Sequence, residues 1–119
     1  MTDRESICGT LARLASRATQ RAYVSHADEG EYPMRWFVDM GHHCVRRVRT
    51  SLDTRSSLPA AAVQAVFDLE PLLDAATDEH LTDDDPRLDA VRQQAERCLA
   101  ALGINLVEWE KMHGLTHAD

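Results

Sequence analysis

A chain of 119 residues, 44% apolar and 28% charged, is long enough for one hydrophobic core and too rich in Leu, Val and Ala for general disorder. It holds no run of about 18 apolar residues and no basic stretch leading into an apolar segment and cleavage site, so the sequence predicts a cytoplasmic protein without a membrane span. The formal net charge of −7 is unevenly held: residues 1–55 carry nine Arg against seven acids, net +2, and residues 56–119 carry four bases against thirteen acids, net −9.

In chain order, Thr2 followed three residues later by Glu5 has the pattern of a capping box. Ile7, Leu11, Leu14, Ala18 and Ala22 then recur at helical spacing, predicting a first helix over about 3–27 that stops at Gly30, after Asp28 and Glu29. Pro33 suits a first helical turn. Phe37, Met40, Cys44, Val48 and Leu52 predict a second helix over 33–52, and Gly41, inside its apolar face, predicts close approach of a neighbouring helix.

A third helix follows Leu58-Pro59, with Ala62, Val66, Leu69, Leu73 and Ala76 on one face. The Pro71 ring clashes with the Phe67 carbonyl four residues earlier, which predicts a kink or two short helices near 59–69 and 71–80. Residues 77–85 are polar and acidic and read as a loop. Asp85-Pro86 pairs a capping acid with a proline at the first helical position, and Leu88, Val91, Ala95, Cys98 and Leu102 carry the fourth helix to Gly103. Asn105 opens a short fifth helix ending at His113-Gly114, and residues 115–119 are expected to fray. No segment alternates apolar and polar residues as a strand would. The expected fold is therefore all-α, one domain over 1–119, built as an antiparallel up-and-down bundle of four to five helices with the third kinked or split at Pro71.

Cys8, Cys44 and Cys98 are odd in number, widely spaced and on or beside apolar stripes, which predicts buried reduced thiols rather than disulfides or a zinc site. His42 and His43 are adjacent, so on a helix they point about 100° apart and cannot chelate one ion. Asp39 and His43 have the four-residue spacing but no evident further ligands. Neither E-x-x-H nor H-E-x-x-H occurs, nor any phosphate-loop, dinucleotide or serine-nucleophile pattern, so no metal and no cofactor are expected.

Arg13, Arg17 and Arg21 form a stripe that needs counter-charges, from the acidic second half or from phosphate. Arg46, Arg47 and Arg49 suit the negative end of the second helix dipole. A net charge of −7 disfavours nucleic acid. The run Asp78, Glu79, Asp83, Asp84 and Asp85 lacks the glycine and terminal Glu of an EF-hand loop, which leaves a solvated loop or an electrostatic docking surface. Trp36, with Tyr32 nearby, falls toward the rim of the second helix, where an interface aromatic would stand.

Together these features predict a small acidic binding or inhibitory protein that acts by protein–protein interaction with a basic partner, through Asp78, Glu79, Asp83, Asp84, Asp85 and Trp36. The analogy is with immunity proteins of bacterial toxins, or with regulators of nucleic-acid-binding factors. Two alternatives stand beside it. Self-association through the three-four seam of the fourth helix would make the chain a structural subunit, a homo-oligomer. In addition, Arg35 and His42 form an R-x6-H spacing that resembles the R-x4-6-H pair of HEPN-class ribonucleases, all-α enzymes, and the resemblance implies a metal-independent ribonuclease using those two residues. This chain departs from that family in placing the pair early and in following the Arg with Trp36 instead of a polar residue.

Overall fold

The computed structural model describes residues 2–25, 33–78 and 81–114, and within them the chain is all-helical. The expected stop at Gly30, its neighbours Asp28 and Glu29, Tyr32, and the tail 115–119 lie outside the described residues. Eight helical segments are seen among the described residues: α1 (Asp3–Ala15), α2 (Arg17–Ser25), α3 (Pro33–Thr50), α4 (Leu52–Ser56), α5 (Ala60–Phe67), α6 (Leu69–Ala75), α7 (Pro86–Ala101) and α8 (Leu106–Met112).

The first expected helix is two. Thr2 and Glu5 make the capping box that opens α1, but Ser16 leaves helical geometry at φ −87° and ψ 103°. Its hydroxyl instead caps α2, accepting from the Thr19 backbone N–H at 3.1 Å. The break frees carbonyls at the end of α1, and the fully buried Gln20 amide recovers two, donating to Arg13 at 3.1 Å and Leu14 at 2.8 Å. Local side-chain hydrogen bonding of this kind competes with helix continuation. Ala18 and Ala22, placed on the core stripe by the sequence, are accordingly half-buried and exposed.

The second expected helix ends at Thr50, not at 52. Ser51 caps the single turn α4 by accepting from Thr54 N–H, which buries Thr54 and leaves Leu52 66% exposed. The third expected helix divides, as the proline predicts, but at Asp68. Pro71 occupies the third position of α6, where its missing N–H and its clash with the Phe67 carbonyl place the discontinuity one turn earlier. α7 begins with Asp85 accepting from Arg87 N–H and Pro86 in first position, and ends at Gly103 with φ +74° and an Ile104 N–H to Leu99 carbonyl bond of 2.9 Å. Asn105 caps α8 through Glu108 N–H.

The core gathers side chains from α1, α3, α5, α6 and α7 in one cluster. Leu88, Val91, Ala95 and Cys98 of α7 and Ala62, Val66, Leu69, Leu73 and Ala76 of α5–α6 are fully buried, as their periodicity predicts. Direction is fixed by contacts at the ends. Arg4, near the start of α1, donates to the Leu102 carbonyl after α7, while Arg17, just past α1, reaches Asp83 before α7, so α1 and α7 run oppositely. Gly41 lets α3 close on two neighbours at once: a Cβ there would stand 2.7 Å from Leu73 Cδ2 and 3.2 Å from Leu14 Cδ1.

Candidate functional site

The acidic stretch before α7 holds most of the residues that the sequence analysis expects to meet a partner, and there the arginines of the first half meet the acids of the second. Asp83 is the hub. Its carboxylate lies 2.7 Å from Arg92 Nη2, 3.2 Å from Arg21 Nε and 3.4 Å from Arg17 Nε, while its carbonyl accepts from Arg17 Nη2 at 3.2 Å. The ion pair therefore satisfies Arg17 Nε electrostatically without a hydrogen bond. Arg92, only 6% exposed, also donates to Asp89 at 2.7 Å and to Gln20 Oε1 at 2.8 Å. Burial lowers its pKa from the ordinary guanidinium value, and the Asp83 and Asp89 carboxylates oppose that shift.

Asp85 is engaged twice, as cap of α7 and as partner of Arg87 at 2.9 Å, and these bonds hold its carboxyl down at about 2. Asp78 pairs with Arg87 at 3.3 Å. Asp84 is exposed and accepts only from the Thr82 hydroxyl among the described residues. Glu79 lies outside the described residues. Of the acids expected to meet a partner, Asp83 and Asp85 are thus engaged with arginines of α2 and α7, and Asp84 presents its charge outward. The stripe of Arg13, Arg17 and Arg21 is divided by the Ser16 break: Arg17 and Arg21 find Asp83, and Arg13 has no ion pair or side-chain hydrogen bond among the described residues.

Trp36 is 46% exposed and does not stand alone. Tyr23 of α2, 37% exposed, lies parallel to it with ring centroids 5.1 Å apart and planes within 6°. Phe37, fully buried, meets both rings edge-on at 5.0 and 5.5 Å, fixing the pair to the core. Val24, next to Tyr23 in the chain, is also exposed. The sequence pointed to Trp36 but not to Tyr23, because the partner ring comes from the helix beyond the unforeseen break at Ser16.

Arg35 and His42 are turned to different carboxylates. Arg35 Nε is 4.0 Å from Asp39 on its own helix, whereas His42 Nε2 is 3.8 Å from Asp74 on α6. Near His42, Glu70 is bonded by Arg49, which lowers the Glu70 carboxyl from its ordinary range. His43 is exposed. No group of three or more His, Cys, Asp or Glu that could hold a metal ion occurs among the described residues.

The cysteines are free. Burial pushes the Cys44 and Cys98 thiols up to about 12 and raises that of half-buried Cys8 as well, so none has the depressed pKa of a nucleophile. The α7 seam is closed inside this chain, its residues having almost no exposed surface for a second copy. No helix among the described residues is long and apolar enough to cross a membrane. In comparisons with known proteins, the chain matches no family model, no curated protein and no solved structure.

Proposed function

We propose that this protein is a binding or inhibitory module for a basic protein partner, with Trp36 and Tyr23 as the apolar anchor of the contact. The observation that carries this reading is the surface stack itself: two large rings, parallel at 5.1 Å, are kept 46% and 37% exposed although Phe37, which packs against both, is buried. Exposed aromatics held rigid by packing lose little conformational freedom on binding, and they dominate interface energetics.

Asp53, Asp84, Glu96 and Glu108 are exposed acids with no ion pair among the described residues, alongside the similarly unpaired bases Arg13, Arg46, Arg97 and Lys111. The sign of the partner comes from the formal net charge of −7. Such a field attracts a basic surface over roughly 10 Å at ordinary ionic strength. The architecture proposed to carry the contact is an antiparallel bundle of four rods, α1–α2, α3, α5–α6 and α7, with α8 packed across the Ser16 break through the Ser16 to Glu110 hydrogen bond of 2.6 Å.

Parallel affinity capture from extracts of the source cells, with wild type and Trp36→Ala as baits, tests the proposal. A basic protein is expected on the wild-type bait at low salt. It should be reduced about 30-fold by Trp36→Ala, as for an anchor worth about 2 kcal/mol. It should also be released by roughly 0.5 M salt. Equal retention by both baits, or recovery of acidic proteins only, contradicts it.

A further inference from the structure

We propose that the cleft between Arg13 and the Tyr23–Trp36 stack is a binding site for a small aromatic carboxylate. The cleft has a volume of about 320 Å³ and is lined by Arg13, Thr19, Ala22, Tyr23, Trp36 and Phe37. That volume is at the low end for small-molecule sites and suits a ligand of one or two rings.

Its chemistry is asymmetric. Three aromatic side chains form the apolar part, held at fixed angles by one stacked and two edge-on contacts, so the walls need little reorganisation to receive a flat ring. Among the described residues, the only charged side chain in the lining is that of Arg13. Arg17 and Arg21, the other members of its stripe, share the Asp83 carboxylate, and Arg13 alone of the three is left without a counter-ion among the described residues. It lies back over Gly9, where a Cβ would be 3.3 Å from Nη1, and so also borders a second cleft of about 350 Å³ that the stacked Trp109 and His113 rings help to line.

Among the described residues, no acid lines the aromatic cleft. A cationic ligand would meet the guanidinium as a like charge, and a neutral one would leave it unused. A carboxylate beside an apolar ring satisfies both ends, with the two parallel N–H bonds that a guanidinium offers a carboxylate. The Thr19 hydroxyl donates to Ser16 Oγ at 2.8 Å and so has no hydrogen left for an anion, which leaves Arg13 as the group that would hold the carboxylate. The cleft shares Tyr23 and Trp36 with the partner contact proposed above, but its assignment turns on Arg13 and is tested on the isolated protein, where no partner is present.

Titration of the isolated protein with 2-naphthoate and with the neutral 2-naphthalenemethanol, followed by amide chemical shifts, tests the assignment. A saturable Kd of about 1 mM or tighter is expected for the carboxylate, given its heavy-atom count. It should bind about tenfold tighter than the alcohol, since one charge-assisted contact is worth that factor. Arg13→Gln should erase the preference and leave the alcohol's affinity unchanged. Trp36→Ala should weaken both, whereas Arg46→Gln, which removes an exposed arginine elsewhere, should alter neither. No saturation up to about 10 mM, which lies well above that range, overturns the proposal. So do equal affinities for the two compounds, or a preference that survives Arg13→Gln.

Discussion

A methyl group added at Gly41 would press on Leu73 and Leu14 inside the core, whereas one added at Gly103 would meet nothing within 4 Å. The second position instead requires its left-handed φ of +74°. The two glycines should therefore respond differently to the same change. Gly41→Ala gains about 1 kcal/mol of helix propensity and loses more to overpacking, for a net destabilisation of about 1 kcal/mol by denaturant titration. In a Leu73→Ala background the same substitution should become neutral or stabilising, because the closest clash, with the Leu73 methyls, is gone and only the looser Leu14 contact remains. Gly103→Ala should cost about 1 kcal/mol through backbone strain and be untouched by Leu73→Ala.

Asp85 gives a pH signature. Its folded carboxyl titrates at about 2, below the ordinary aspartate value, because it accepts from the Arg87 side chain and backbone. A depressed acid contributes stability that is present above the unfolded pKa, near ~4, and lost as pH falls through the folded one. Thermal melts of wild type and Asp85→Asn should thus differ at about pH 5 and converge toward about pH 2. A gap that stays constant over that window contradicts the pairing. The thiols supply a further check: only Cys8 should label slowly in native protein, and all three on unfolding, because Cys44 and Cys98 are buried and their thiols titrate at about 12.

At the scale of elements, the sequence is most legible where apolar periodicity and caps agree. α7 shows this: Asp85, Pro86, the Leu88 to Leu102 stripe and Gly103 all take their expected places. The split in the third expected helix was visible in Pro71, and only its site moved, because a proline disrupts the bond of the residue four positions earlier. The break at Ser16 was not visible. Its cause is a buried network, Ser16 to Thr19 and Glu110, Gln20 to two carbonyls and to Arg92, whose long-range bonds join residues 72 and 94 positions apart. Removing Gln20 tests that account. Gln20→Ala leaves the Arg13 and Leu14 carbonyls and Arg92 Nε without partners and should cost about 2–3 kcal/mol. A loss below about 0.5 kcal/mol, the level of an ordinary surface change, would show that the network does not hold the break.

Across the whole molecule, the unequal charge of the two halves was legible as a number but not as an arrangement. Part of it is internal: Asp83, Asp78, Asp85, Asp89 and Glu70 are taken up by arginines, two of them on α2 and one on α3. What remains outward, with the Tyr23–Trp36 stack, is what a partner can meet. Tyr23 could not be paired with Trp36 from spacing alone, since their contact depends on how α2 turns after Ser16. The measurement that tests the central claim most directly is amide hydrogen exchange of the protein alone and in complex with the captured basic partner. Protection gained over residues 19–24 and 34–39 is the predicted result. A footprint confined to other surfaces, with those two segments unchanged, contradicts it.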